Sequence, residues 1–263
     1  MTQELNTERY KLGLALSGGG AKGFAHIGVF KLLEECSLMP DVIVGTSAGA
    51  LMGVLFADGY SADELKVLFT GREFSEFAQL QIPKSGLFDS TRFSDFLRSH
   101  LRAKTFEELK IPMKVVATDL DHGESHVFSS GPIVEAVTAS CSIPIIFSPV
   151  VIGGVHYVDG GLFQNFPVSV IRDMCERVIG VNVSPLTPQK YKQTIFHIAE
   201  RSYHYMFQAN TIEDREMCDL LIETKEIVRY KTFDLENVEQ IARIGYDTAV
   251  KAFAAIAGGA KNM

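Results

Sequence analysis

Apolar positions fall into two alternating patterns along the first part of this chain. Leu12 to Ser17 is a short apolar run that ends in Gly18-Gly19-Gly20 and predicts a buried strand. From Phe24 to Cys36 the spacing becomes helical. Val29, Leu32, Leu33 and Cys36 share one face, and Lys31, Glu34 and Glu35 lie opposite. Asp41 to Val44 predicts a second buried strand. Ala48 to Ala57 predicts a helix of small and apolar residues, ended by Asp58-Gly59. Strand, helix, strand, helix at this spacing predicts a parallel sheet with covering helices.

The pattern then turns helical for longer. Ser61-Ala62-Asp63-Glu64 is a capping-box sequence ahead of an apolar stretch from Leu65 to Phe69. Ser90 is the expected cap of a helix over Thr91 to Leu101. Between them, Gly71 to Asp89 is expected to be irregular, with Phe74, Phe77, Leu80, Ile82, Leu87 and Phe88 along it. The aromatics from Phe74 to Phe96 fit the lining of an apolar channel and equally fit core under a long loop. Met113 to Leu120 and His126 to Ser129 predict strands joined by a turn at Asp121-His122-Gly123. Ile133 to Ala139 predicts a helix. Val151 to Val158 predicts a hairpin turning at Gly153-Gly154. A helix over Val168 to Cys175 and a buried strand over Val178 to Val183 follow. The rest is expected to be mostly helical: Ile195 to Ala209, a short strand at Leu220 to Ile222, and an amphipathic helix from Leu235 to Ile256, ended by Gly258-Gly259.

Together these elements predict one three-layer α/β/α domain over residues 1–263, with a central, mostly parallel sheet. A chain of 263 residues, 46% hydrophobic, buries one substantial core. The formal net charge of −7 argues against nucleic acid, whose phosphates call for clustered Lys and Arg. It also argues against strong docking on anionic membranes, and it leaves weak hydrophobic contact with a lipid surface open. The four cysteines, Cys36, Cys141, Cys175 and Cys218, are far apart and form no CxxC pair. They read as free thiols of a reducing compartment, not as a zinc site or a disulfide framework. The polar stretch from Met1 to Tyr10 lacks an apolar signal core. The richest apolar run, Ile143 to Val158, is broken by Pro144, Pro149 and Gly153-Gly154. A cytoplasmic location is the expectation.

Gly45-Thr46-Ser47-Ala48-Gly49 has the form G-x-S-x-G between a predicted strand and a small-residue helix, the context a nucleophile elbow requires. Gly45, Ala48 and Gly49 let strand and helix cross closely, and the helix N-terminus favours negative charge on a reacting oxygen. A tight turn carrying an ordinary serine is the competing reading. Gly18-Gly19-Gly20-Ala21-Lys22-Gly23 matches G-x-G-x-x-G, which is also the dinucleotide-binding fingerprint. That reading needs an acidic residue at the end of the second strand, where Gly45-Thr46-Ser47 stands instead, with Asp41 at the wrong end. A phosphate-binding Walker loop fits poorly because Gly23 follows Lys22. Consecutive glycines whose N–H groups converge on a developing oxyanion fit better, with Lys22 adding positive charge. Asp159-Gly160-Gly161 follows the hairpin and precedes Asn165-Phe166-Pro167. An ordinary turn is its plain reading. His156, three residues before Asp159, leaves a Ser-His-Asp arrangement open, and His26 reads as structural.

In order and spacing these pieces resemble the patatin-like phospholipase family. The resemblance is carried by Gly18 to Gly23, Gly45 to Gly49 and Asp159-Gly160-Gly161. Ala139-Ser140 with Ile143-Pro144, and Asn165-Phe166-Pro167, add to it. It covers about Leu12 to Val183, and the segment after Ser184 matches less distinctly. Lys22 stands where Arg is common in the family; it keeps the charge but loses the bidentate fork. The resemblance implies a Ser47–Asp159 dyad acting on lipid or lysophospholipid esters, with no metal or organic cofactor. Gly18, Gly19, Gly20, Lys22, Gly23 and Ala48 would bind substrate or oxyanion, and Gly45, Gly49, Gly160 and Gly161 would support the motifs. A solvated aspartate, with a pKa of about 3.9, is a poor base for an alcohol; burial that raises the pKa, or direct contact with the serine, would offset the mismatch. Two other functions remain open: an acyl-CoA or acyl-carrier acyltransferase, and a regulatory or adaptor protein with slight esterase activity.

Overall fold

The computed structural model describes residues 9–80, 86–185, 187, 193–223, 225–233 and 235–259. Strand β1 (Tyr10–Leu16) is buried from Gly13 onward. A 3-10 turn over Gly20–Phe24 leads into helix α1 (Ala25–Glu35), which packs back on the sheet before β2 (Val42–Thr46). Every residue of β2 is buried, as expected of a strand with helices on both faces. Helix α2 (Ala48–Ala57) leaves β2 after a single residue, Ser47. Helix α3 (Ala62–Phe69) begins at a complete capping box. The Ser61 hydroxyl accepts from the Glu64 N–H at 3.2 Å, and the Ser61 N–H donates to the Glu64 carboxylate at 2.7 Å.

The stretch expected to be irregular holds a 3-10 turn at Phe74–Glu76 and a small antiparallel pair, β3 (Gln79–Leu80) and β4 (Phe88–Asp89); Ile82 lies outside the described residues. Helix α4 (Thr91–His100) follows, but the Ser90 side chain does not cap it. Asp89 does, accepting from the Thr91 N–H at 2.7 Å. Strands β5 (Met113–Asp119) and β6 (Glu124–Phe128) pair antiparallel. Helix α5 (Ile133–Ser140) precedes the hairpin of β7 (Val150–Ile152) and β8 (Val155–Asp159), whose turn glycines Gly153 and Gly154 have φ of 61° and 88°. Short helices α6 (Gly161–Gln164) and α7 (Ser169–Arg172) follow. The helix expected over Val168 to Cys175 is thus cut to one turn, because Cys175 already opens β9 (Cys175–Asn182), where it pairs with Tyr10. The chain continues through α8 (Ile195–Ala209), α9 (Ile212–Glu216), β10 (Leu220–Glu223) and α10 (Val238–Gly259). The last helix runs through Gly259, so Gly258 does not end it.

The sheet order is β10-β9-β1-β2-β5-β8-β7, with β6 also on β5. The four pairs from β10 to β5 are parallel, and those of β5 with β8, β8 with β7 and β5 with β6 are antiparallel. The three layers follow from alternation along the strands. Leu14, Leu16, Ile43 and Val115 face a core shared with Phe30, Leu33 and Leu55. Ala15, Val44 and Val116 face the opposite core, with Phe166, Val168 and Ile171. The mostly parallel α/β architecture expected from the strand–helix alternation is the one observed. Among the described residues no helix is long and apolar enough to cross a membrane.

One feature of the register places the site. On β5, Val116 pairs with Thr46 of β2, and the next residue, Ala117, pairs with Asp159 of β8. Strand β5 thereby brings Asp159 beside the residue that follows Thr46, which is Ser47.

Candidate active site

Ser47 stands alone between β2 and α2, with φ 53° and ψ −122°. A non-glycine residue there carries strain of about 1–3 kcal/mol. The close crossing of strand and helix imposes it. A Cβ on Gly45 would lie 2.5 Å from the Gly49 carbonyl group, and one on Gly49 would collide with the Leu16 carbonyl. The strained peptide is fixed from α5. The Ser47 N–H donates to the Ser140 hydroxyl at 2.8 Å, and that hydroxyl donates to the Val116 carbonyl at 2.6 Å. The Cys141 thiol donates to the Ser47 carbonyl at 3.3 Å.

The Ser47 hydroxyl donates to Asp159 Oδ2 at 2.6 Å, and Asp159 is 1% exposed. Its other carboxylate oxygen accepts from the Gly161 N–H at 2.8 Å. Burial raises the Asp159 pKa to about 7; the bonds from Ser47 and Gly161 work against the rise. A carboxylate that titrates near neutrality and touches an alcohol can take its proton.

The glycine loop divides its N–H groups. Gly18 is not free: its N–H donates to the Asn165 carbonyl at 3.0 Å. Ala21 donates to the Thr232 carbonyl at 2.7 Å. Among the described residues no hydrogen bond takes up the N–H of Gly19, Gly20 or Ala48, the last being the first residue of α2. Gly23 packs on Ala48, with room there for no side chain. Gly160 lies against the Val116 carbonyl. Lys22 is buried, and burial lowers its pKa; among the described residues it has no ion-pair partner.

Two cavities meet at Ser47. The larger, about 130 Å³, also touches Gly20 and Ala48 and is walled by Phe69, Phe74, Phe77, Phe93, Phe147 and Phe233. The smaller, about 50 Å³, has a more polar lining than the first, with Gly19, Lys22, Asp159, Asn165 and Gln208 on it beside Ile143 and Phe207. The aromatics between Phe74 and Phe96 divide between cavity wall and core. Phe74, Phe77 and Phe93 line the apolar cavity, while Phe77, Phe93 and Phe96 belong to the core.

Among the described residues no histidine lines either cavity. His156 is half exposed and meets Asp121 at 3.0 Å. His26 is fully buried and is bonded to the Ser17 carbonyl at 3.0 Å. Several parts of the site escaped the sequence reading. Ser140 was visible only as part of the Ala139-Ser140 block. Phe233 and Gln208, from the C-terminal segment, gave no sequence signal at all.

A serine on a strained elbow, bonded to a buried aspartate at the end of a mostly parallel sheet, defines a class of α/β fold. The patatin-like phospholipase family model matches residues 14–171, and the chain belongs to that family. It is 26% identical over 280 residues to patatin-like phospholipase domain-containing protein 7 of Rattus norvegicus, covering 92% of this chain but 20% of that protein. The chain thus spans a fifth of that relative's length. It is 31% identical over 213 residues to the uncharacterized protein YqhO of Bacillus subtilis, covering 68% of this chain and 73% of YqhO. Among solved structures it resembles VipD from Legionella pneumophila, with a TM-score of 0.53 at 15% identity, over 94% of this chain and 67% of that one. At that identity the likeness is one of fold.

Proposed function

We propose that this protein is a serine-dependent lipid acyl hydrolase in which Ser47 is the nucleophile and Asp159 its base. The observation that carries the reading is the 2.6 Å bond from the Ser47 hydroxyl to a buried carboxylate with a pKa near 7. Ser47 Oγ attacks the ester carbonyl as its proton passes to Asp159. The developing oxyanion is held by the N–H groups of Gly19, Gly20 and Ala48, none of which is otherwise engaged among the described residues. As the tetrahedral centre collapses, Asp159 returns the proton to the departing alcohol, leaving an acyl group on Ser47. Water then attacks that ester and gives its proton to Asp159. Ser47 leaves and takes the proton back, releasing the free acid.

The phenylalanine-walled cavity suits the acyl chain, and the smaller cavity, which carries Lys22, Asn165 and Gln208, suits the alcohol portion of a phospholipid or lysophospholipid. A single domain over the whole chain, a cytoplasmic setting and weak peripheral contact with lipid surfaces belong to the same reading. Exposed Ile145, Phe163 and Phe233 are consistent with that contact. The test is fluorophosphonate labelling with the modified residue identified by mass spectrometry, beside a panel of acyl esters of increasing chain length. Labelling at Ser47 with release of free fatty acid supports the proposal. Labelling followed by acyl transfer to a thiol or alcohol acceptor, with little free acid, would favour an acyltransferase.

A further inference from the structure

The family match ends at residue 171, yet one side chain well beyond it ties both halves of the site together. Asn210 sits between α8 and α9. Its Nδ2 donates to the Gly161 carbonyl at 2.8 Å and to the Leu162 carbonyl at 3.3 Å. Its Oδ1 accepts from the Asn165 N–H at 3.0 Å. One amide therefore grips both ends of the single turn of α6, from Gly161 to its C-cap Asn165. The near end carries the Gly161 N–H that donates to Asp159 Oδ1 at 2.8 Å. The far end carries the Asn165 carbonyl that accepts the Gly18 N–H at 3.0 Å and so anchors the start of the glycine loop. The Phe207 ring, from the same segment as Asn210, lies directly against Gly161.

We propose that Asn210 is a positioning residue for the reaction: it holds the Asp159 loop and the glycine loop in register through Gly161 and Asn165. This rests on the reading of Ser47 and Asp159 as the reacting pair. The amide suits the task because a donor and an acceptor leave one rigid group in opposite senses. The Gly161 N–H favours the ionised form of Asp159. Without Asn210 that N–H is no longer held in line, and the carboxylate becomes harder to ionise.

The experiment is the pH dependence of kcat and kcat/KM on a soluble short-chain ester for wild type, Asn210→Ala, Asn210→Leu, Arg172→Ala and Ser47→Ala. In Asn210→Ala the acid limb should move up by about one pH unit, the effect of one charge-assisted hydrogen bond. At pH 7 kcat should fall about fivefold, with most of the loss recovered near pH 9, and KM should change little. Arg172 pairs with Asp219 and donates to the Cys175 and Glu176 carbonyls at the start of β9; Arg172→Ala should lower Tm and leave the pH profile in place. A loss that came only from destabilisation would look the same in both variants. If Asn210→Ala does not fold, Asn210→Leu carries the test, since it is close in volume, adds no charge and loses both the donor and the acceptor. A folded Asn210 variant whose acid limb and pH 7 kcat match wild type would overturn the inference. If Ser47→Ala also kept full activity, the proposed function itself would fail. An inactive Ser47→Ala beside an unchanged Asn210 variant would sink only the role of Asn210.

Discussion

Asp159 and Asp119 lie on neighbouring antiparallel strands, and both are almost fully buried, at 1% and 4% exposure. Their surroundings drive them in opposite directions. For Asp159 burial dominates; its partners are a neutral serine and one backbone N–H, and its pKa rises to about 7. Burial raises Asp119 too, but the His122 ring at 2.9 Å and the N–H groups of His122 and Asp121 outweigh it, so its pKa falls. Carboxylates of one type, two register positions apart along β5, thus become a group poised to titrate and a group locked as an anion. The difference lies in what the partners can supply. A histidine and two amides stabilise charge, whereas an alcohol and one amide leave it costly.

The largest expected effect tests the Asp159 side directly. Asp159→Asn keeps the shape and removes the base, so ester hydrolysis should fall with Ser47→Ala to background, a loss of about 1000-fold or more. Asp119→Asn should retain most activity. Full turnover by folded Asp159→Asn would break the contrast.

Next comes the loop that serves the same end of the sheet. Gly20 has φ 58°, and a Cβ there would strike the Thr232 carbonyl. Gly20→Ala should lower kcat about 100-fold while KM changes less, the pattern of a lost oxyanion donor. A change confined to KM would move Gly20 out of the oxyanion role.

The comparison sharpens in stability. A carboxyl whose folded pKa is raised from about 3.9 binds more protons folded than unfolded. Its burden on stability therefore grows from about pH 4 to pH 7 and is complete above that. Asp159→Asn should raise Tm at pH 8, with the gain shrinking as pH falls toward 4. Asp119 has the opposite sign. Its lowered folded pKa contributes stability above the unfolded value, and that contribution disappears as pH falls through the folded one. Asp119→Asn should lower Tm at pH 7. Thermal melts across pH 4–9 read both, and equal signs would remove the distinction. The activity profile should share the acid limb near pH 7, because the ionised form of Asp159 is the base.

The smallest expected effect is at His156. Its bond to Asp121 lies at the exposed end of the hairpin, so His156→Ala should keep most activity at every pH. A folded His156→Ala at the Ser47→Ala background would replace the dyad with a histidine-dependent arrangement.

Much of this was legible in the chain. Ala48 to Ala57 is a helix at those limits, and the capping box at Ser61 forms as its residues require. The mostly parallel sheet follows from apolar strands alternating with helices. Such features depend on neighbours a few residues apart, which is what periodicity records. Legibility failed where distant partners decided. The helix expected over Val168 to Cys175 gives way because Cys175 is claimed by pairing with β1. The cap of α4 failed locally instead: Asp89, one residue before Ser90, takes the Thr91 N–H.

By itself the sequence determined that a serine would sit on a crowded strand-to-helix turn, because only Gly45, Ala48 and Gly49 are small enough for that crossing. Asp159-Gly160-Gly161 reads on its own as an ordinary turn, and only the family resemblance pairs Asp159 with Ser47. Tertiary structure decided that meeting, since consecutive residues of β5 pair with Thr46 and Asp159, residues that are 113 positions apart. It also decided the pKa of Asp159, the commitment of Gly18 to Asn165, and the reach of Asn210 back across 49 residues to Gly161. The physical reason is common to all three. Desolvation and hydrogen bonding depend on which groups share a volume, and no local pattern in a chain encodes that.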